Sequence, residues 1–326
     1  MNPARTRARF PLAGRGAVVT VGTFDGVHRG HWQVLELVRE RARALGAPGV
    51  LVTFDPHPLR IVRPESAPPL LTTPVEKTEI LAESGLEYAV FVKFTREVQQ
   101  LSPEEFVREV LVRRLGVAEL VIGYDHGFGR GRSGDVDTLR RLGETDGFAV
   151  HVVPPVEAGG APISSSRIRA AVQAGDMAAA ASGLGRPYSL RGVVVRGDGR
   201  GRGLGFPTAN IHVPEGDKLM PAAGVYAARG VLRSGPVDGV LHLGPRPTFA
   251  GAPPATELHL FDFDGDLYGV DVRVDFIERL RDIHPFASVE ALVAAIRADC
   301  DEARARLGAW RAGQARAPNG AGPAGA

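Results

Sequence analysis

Cysteine is nearly missing from this 326-residue chain, where Cys300 stands alone. That excludes an internal disulfide and any thiolate-based zinc cluster, and it suits a reducing compartment. Long apolar runs are missing too. No stretch reaches the roughly 18 uninterrupted apolar residues of a membrane span, and no apolar segment follows the Arg-containing N-terminus. A cytoplasmic protein with no membrane partner is expected. Lysine is scarce: of 39 Lys and Arg residues, only Lys77, Lys93 and Lys218 are lysines, a compositional bias from which no function is read. The formal net charge is only +2 and aromatics make up 6%. Basic and aromatic residues do not interleave as a base-stacking platform, so no nucleic-acid partner is expected, while small phosphorylated ligands remain compatible. Also missing are G-x-x-x-x-G-K-[ST] and the protein-kinase set of lysine, H-R-D and D-F-G. Any phosphoryl transfer must therefore be arranged differently.

What is present divides into two patterns. In the first half, β-branched runs at 17–22, 49–54, 88–92, 119–122 and 148–153 alternate with amphipathic stretches at 32–45, 74–84 and 102–115. This is the signature of βα units around a parallel sheet, whose ligands bind beyond the carboxyl ends of the strands. From residue 188 to about 283 the segments become short, Gly-rich and Val-rich, as in a small β-barrel. A last amphipathic stretch at 288–311 opens on Ser288 as N-cap and carries Leu292, Val293, Ile296, Cys300 and Leu307 toward the barrel. The predicted division is a flexible N-terminus 1–16, an α/β domain 17–184, a barrel domain 185–311 and a disordered tail 312–326. The Pro-rich segment 60–73 is expected to be a mobile cover over the first site.

The first chemical constellation follows the first strand: Gly22-Thr23-Phe24-Asp25-Gly26-Val27-His28-Arg29-Gly30-His31. Glycines let a phosphate approach backbone N–H groups at a helix start, and two histidines three apart lie on one side of the first turn. Taken alone, the pair is open to a metal site or to polar helix-start residues. His57, in Thr53-Phe54-Asp55-Pro56-His57-Pro58, fits a loop lining the same ligand. Ile163-Ser164-Ser165-Ser166-Arg167-Ile168-Arg169 places hydroxyls and two arginines at a helix N-terminus, a natural anion site. Gly129, Gly131 and Gly134 match G-x-G-x-x-G, but in an Arg-rich loop late in the domain, which argues against NAD.

The second constellation is Arg196-Gly197-Asp198-Gly199-Arg200-Gly201-Arg202-Gly203-Leu204-Gly205-Phe206-Pro207-Thr208-Ala209-Asn210. Thr208 and Asn210 are two apart and face one side of an extended chain, where a hydroxyl and an amide oxygen suit Mg²⁺ bridging ATP phosphates. The acidic run Asp262, Asp264, Asp266 lacks the later Gly and Glu of an EF-hand, and Asp264-Gly265 reads as a hairpin turn.

These segments together resemble the bacterial bifunctional riboflavin kinase/FAD synthetase (FMN adenylyltransferase) family. Residues 22–31 resemble its G-x-F-D-G-x-H-x-G-H form of the H-x-G-H signature. Thr53 to Pro58 resembles T-F-x-P-H-P, the segment from Gly123 through Asp125 to Asp135 resembles G-x-D-x-x-F-G-x-x-R-x-G-D, and 163–169 resembles I-S-S-T-x-I-R. Gly201 to Asn210 resembles the kinase signature G-x-x-x-G-F-P-T-A-N, and Glu257 falls in a matching downstream run. The resemblance implies an α/β chain: a Rossmann-like nucleotidyltransferase domain with a parallel sheet, then a six-stranded riboflavin kinase β-barrel with a terminal helix. It implies phosphorylation of riboflavin to FMN with ATP, then adenylylation of FMN to FAD and pyrophosphate, with Mg²⁺ and no tightly bound redox cofactor. By carry-over, His28, His31, Arg169 and Glu257 are catalytic. Gly22, Phe24, Asp25, His57, Asp125, Ser164, Ser165, Arg167, Gly203, Gly205, Phe206, Pro207, Thr208 and Asn210 bind ATP or flavin, and Thr208 and Asn210 hold the metal. Expected partners are ATP, riboflavin, FMN and FAD, with the chain a monomer or weak oligomer. Two positions depart from the family's form: His242-Leu243-Gly244-Pro245-Arg246-Pro247 replaces N-I-G-x-R-P, and His126-Gly127 replaces an aromatic-arginine pair.

Overall fold

The computed structural model describes residues 16–125, 127–214, 216–246 and 254–316. The segments read as a flexible N-terminus and a disordered tail therefore lie outside the described residues, except Gly16 and 312–316, as do His126 and Pro247. The chain forms two compact units, Met1–Ser165 and Ser166–Ala326. The helices Ser165–Ala174 and Met177–Leu184 thus fall, from Ser166 onward, in the second unit, although the sequence reading draws its boundary after 184.

The first unit is built on five parallel strands, β1 (Ala17–Val21), β2 (Gly49–Asp55), β3 (Tyr88–Lys93), β4 (Val117–Gly123) and β5 (Ala149–Val153), ordered β3-β2-β1-β4-β5. Every residue of β1 is buried, as a central parallel strand covered on both faces requires. On one face the helix Arg29–Leu45 buries Val34, Leu35, Val38 and Ala42, a stripe at helical spacing. It stops at Gly46, whose φ of 60° makes the left-handed cap. On the other face Phe106, Val107, Leu111, Leu139 and Leu142 close the core. The single helix expected at 102–115 begins as Pro103–Phe106 under a Ser102–Glu105 capping box and widens into a π-helical stretch, Val107–Arg114. The chain runs outward from β1 through β2 to β3, then returns to β4 on the other side of β1. The switch point of the sheet is therefore β1/β4, where ligands of open α/β sheets bind. A two-stranded hairpin, β6 (Glu157–Ala158) with β7 (Ala161–Pro162), follows.

In the second unit β8 (Tyr188–Val195), β9 (Ala209–His212), β10 (Gly224–Leu232), β11 (Gly235–Gly244), β12 (Ala255–Leu260) and β13 (Asp271–Arg281) close a barrel in the order β10-β11-β12-β9-β8-β13. Closure removes the free edges. Alternate residues of β8 (Tyr188, Leu190 and Val194) are buried, and the Tyr226 and Phe276 rings meet edge to face at 5.1 Å. Val225, Ala227, Val240 and Ile277 form one buried cluster with Cys300, Ala303 and Leu307 of the helix Val289–Arg316. Ser288 Oγ accepts from Ala291 N at 3.2 Å, the expected cap, and the helix continues through Arg316.

Asp264-Gly265 is not a hairpin turn. Because β9 and β8 stand between β12 and β13 in the closed order, residues 261–270 cross between non-adjacent strands. Asp262 in this crossing is held by the Arg304 guanidinium at 2.9 and 3.2 Å, which keeps its carboxyl below the usual range.

Burial pushes the Cys300 thiol up to about 11, and the residue is 9% exposed. The thiolate is the reacting species. At pH 8 the folded chain should therefore fail to develop colour with a chromogenic disulfide reagent, and should react only once denaturant is added. Fast reaction in native buffer would contradict this placement.

Candidate functional site

The loop after β1 lies at the switch point and is held in a costly shape. Phe24 and Val27 have φ of 47° and 38°, with Gly26 between them at 82°. Left-handed backbone at a β-branched residue costs on the order of 1–3 kcal/mol and persists only where its surroundings impose it. Here Asp25 imposes it. Its buried carboxylate accepts from Leu71 N at 3.1 Å, from Thr72 N at 3.0 Å and from the Thr72 hydroxyl at 3.3 Å, while Gly26 N donates to Thr72 Oγ1 at 3.1 Å. The end of segment 60–73 is thus tied to the loop through Leu71 and Thr72. Replacing Asp25 by Ala removes the acceptor of two backbone donors at 1–3 kcal/mol each. The expected loss is about 3 kcal/mol in urea unfolding, together with faster proteolysis in 60–73; an unchanged midpoint would contradict this role.

His28 is the N-cap of the helix Arg29–Leu45, and His31 is its third residue. Each ring nitrogen Nδ1 accepts from the other residue's backbone: His31 N donates to His28 at 3.4 Å, and His28 N to His31 at 3.2 Å. The two rings consequently stack, centroids 3.6 Å apart and planes at 15°. This reciprocal cap satisfies two of the helix's opening N–H groups. A Cβ at Gly30 would come within 3.3 Å of the His28 ring, a tight contact. With no acidic residue in the first turn, the helix start is left electrically suited to an anion.

The neighbouring strand ends frame this position. Ser165 Oγ donates to the Asp25 carbonyl at 3.0 Å, and Thr53 Oγ1 to the Thr23 carbonyl at 3.0 Å. Gly22 N donates to Val52 O at 3.0 Å, so the loop after β1 leaves the sheet beside the end of β2. His57 follows β2 there and accepts from Leu59 N at 3.2 Å through Nδ1. Asp125 stands exposed just past β4, the other wall of the switch point. Ser164 precedes the helix Ser165–Ala174, while Arg167 and Arg169 lie on that helix in the second unit. Two glycines of the 129–134 G-x-G-x-x-G match serve packing: a Cβ on Gly129 would strike Pro103 at 2.7 Å, and on Gly134 the Phe128 ring at 2.6 Å, while Gly131 borders open space with φ 66°.

One residue here escaped the sequence reading. Lys77 is buried, its ammonium 3.2 Å from Thr23 O and 3.5 Å from both Thr53 Oγ1 and Phe54 O. It ties the end of β2 to the loop after β1. Burial pushes it below the ordinary lysine range, opposed by the charges of Asp25 and Asp55. The available signal was a lysine in an arginine-rich chain, on the inner side of a helix.

In the barrel, a cavity of about 160 Å³ is lined by the polar residues Asp198, Thr208, Arg246 and Glu257, by the apolar Val225, Ile283, Phe286, Leu292 and Ile296, and by the ion-paired Arg281 and Asp299. Glu257 on β12 faces Asn210 on β9 and His242 on β11 in register. One Arg246 nitrogen donates to Asn210 Oδ1 at 3.1 Å and to Glu257 Oε1 at 3.0 Å. The glycine loop is fitted over the same residues: a Cβ on Gly197 would land 2.2 Å from the Asn210 amide, and on Gly201 2.4 Å from Phe206 O and 3.0 Å from Thr208 Oγ1. Gly197 and Gly201 are thus the close-approach positions. Gly203 and Gly205 border open space, with Gly205 at φ 88°. Phe206 lines the cavity, and Pro207 O is 2.8 Å from His259 Nδ1. His242, a departure from the family's asparagine, has Nε2 3.0 Å from Pro245 O. Burial holds its imidazole below the usual histidine range, so the neutral ring anchors the turn that carries Arg246.

The donors fit a nucleotide-borne divalent cation. Asn210 Oδ1 already faces a cationic nitrogen, and Thr208 stands two residues before it under the same glycine loop. Among the described residues no group of three His, Cys, Asp or Glu could hold a metal by itself. Neutral oxygens completed by phosphate are how Mg²⁺ is commonly bound with nucleotides.

Residues 11–167 match the family model for FAD synthetase, and residues 184–307 that for riboflavin kinase. A bifunctional riboflavin kinase/FMN adenylyltransferase of Pseudomonas fluorescens is 41% identical over 89% of this chain and 93% of its own. The chain belongs to that bifunctional family. The family's member in Escherichia coli K12 is 40% identical over 87% of this chain and 90% of its own. A crystal structure from Streptococcus pneumoniae, described as a macrolide-efflux protein, shares the family fold with a TM-score of 0.79 and 32% identity, over 88% of this chain and 93% of that one. Among the described residues no helix is long and apolar enough to cross a membrane.

Proposed function

We propose that this chain converts riboflavin to FMN in the barrel and FMN to FAD in the α/β unit, using ATP in both steps. The observation that carries the reading is the meeting of Glu257, Asn210 and Thr208 beneath the glycine loop, beside a cavity that Glu257, Thr208 and several apolar side chains line. A flavin ring system needs apolar lining, and its ribityl hydroxyl needs a base.

In the kinase step Glu257 takes the proton of the riboflavin 5′-hydroxyl as that oxygen bonds to the ATP γ-phosphorus and the bond to ADP breaks. The Gly197–Gly205 loop covers the phosphates, and Thr208 and Asn210 hold the metal, for which we propose Mg²⁺. A bound metal ion neutralises phosphate charge during transfer. In the second step an FMN phosphate oxygen bonds to the ATP α-phosphorus and pyrophosphate leaves. His28 and His31 at the helix start, Ser164 and Ser165, and Arg167 and Arg169 stabilise the phosphate charge, while Gly22 and Phe24 shape the loop beneath. Asp25 contributes by holding that loop, His57 and Asp125 by bordering the bound nucleotide or flavin. We assign these two activities to domains 17–184 and 185–311, working in the cytoplasm as a monomer or weak oligomer without nucleic-acid or membrane partners.

Chromatography of flavins after mixing the purified chain with riboflavin, ATP and Mg²⁺ tests the reading. FMN followed by FAD is expected. Unchanged riboflavin and unchanged FMN in parallel reactions would overturn it.

A further inference from the structure

Arg246 binds both residues on which the kinase reading depends. Its side chain is 12% exposed; one terminal nitrogen is shared between Asn210 Oδ1 and Glu257 Oε1, and the other lies 3.5 Å from Asp198 Oδ2. Asp198 also meets Arg200 at 3.3 Å, so the end of the cavity is a chain of alternating charges: Arg200, Asp198, Arg246, Glu257. His242 anchors the turn that presents Arg246, through its 3.0 Å contact with Pro245 O. Arg246 Nε is buried with no partner among the described residues, so this guanidinium is fastened only at its outer edge.

The proposal rests on the reading that Asn210 is a metal donor and Glu257 the base. We infer that Arg246 is an interlock between nucleotide binding and base release: its guanidinium holds the Asn210 oxygen and must let go of it when a metal–nucleotide complex binds. A guanidinium and a divalent cation on one amide oxygen repel each other strongly where water is excluded. A guanidinium displaced from Asn210 still has the Asp198 carboxylate beside it, 3.5 Å from its other terminal nitrogen. Because the same nitrogen holds Glu257, its departure unpins the carboxylate, leaving it able to turn to a hydroxyl. Arg246 is a positioning residue in this scheme, and it orders the events: nucleotide first, proton removal second.

The test is calorimetric titration of Mg·ADP into the full-length chain, its R246M and N210A variants and the double variant, with a parallel ADP titration in excess chelator. An interlock predicts that R246M binds Mg·ADP about tenfold more tightly than the parent, a typical coupling between linked binding events. Binding of metal-free ADP should not tighten, and the gain should disappear in the N210A background. R246K, which keeps the charge but not the fork, is expected to lie between and serves if R246M does not fold; melting curves check both. Weaker Mg·ADP binding by R246M, or an equal gain with and without Asn210, would make Arg246 a plain phosphate ligand and overturn the interlock. If N210A alone leaves Mg·ADP affinity unchanged, the metal-donor reading fails and takes the interlock with it.

Discussion

Replacing Glu257 by Gln is expected to stop riboflavin phosphorylation while FMN is still converted to FAD at the parental rate. Gln keeps the shape of the side chain, and its carbonyl oxygen still accepts from Arg246, whose nitrogen lies 3.0 Å from Glu257 Oε1. Only the capacity to take a proton is lost. General-base catalysis contributes about 10²–10⁴-fold, so kcat for FMN formation should fall by that factor with little change in KM for riboflavin or ATP. Flavin chromatography with riboflavin or FMN as the starting material separates the two steps. A variant retaining more than a tenth of its kinase rate would remove Glu257 as the base. A variant that lost both steps while still melting at the parental temperature would show that the modules are not chemically independent.

The second large effect is expected from His28→Asn. His28 both caps the helix Arg29–Leu45 and stacks on His31, so an alanine variant would mix two losses. Removing the cap costs about 1 kcal/mol, and removing the imidazole costs chemistry. Asn is among the best N-cap residues, and it keeps the first role while deleting the second. FAD synthesis should fall by about 10²–10³-fold, the range seen when one donor to a developing anion is removed. FMN formation and the melting temperature should stay within error of the parent. Near-normal FAD synthesis by H28N would reduce the histidine to a helix cap.

The sequence was most informative where local chemistry alone dictates the structure. β-branched runs, the Gly- and Val-rich segments and helical apolar spacing placed the parallel strands, the barrel and the Ser288-capped helix to within a few residues. The resemblance of residues 22–31 and 201–210 pointed to segments that the fold sets at a switch point and along the lining of a cavity. It was least informative where function depends on contacts between distant segments. Nothing near Asp25 in sequence reveals that its carboxylate fastens residues 71 and 72. Nothing near Arg246 reveals that β9 and β12 bring Asn210 and Glu257 to one of its nitrogens. The error at Asp264-Gly265 has the same origin. A local turn signal was read as a hairpin, but barrel closure had separated the strands on either side of it.

The scarcity of lysine, uninformative in the sequence, gains a practical meaning from the fold. Lys77 is sealed beneath the first loop, and Lys218 is buried with its ammonium 4.6 Å from the centre of the Tyr188 ring. Lys93 alone is exposed, at the carboxyl end of β3. Amine-reactive dyes or surface tethers will therefore find, apart from the chain's amino terminus, a single attachment point. It lies on the edge strand, at the same end of the sheet as the histidine pair, where a fluorophore would report on nucleotide entry without any engineered residue.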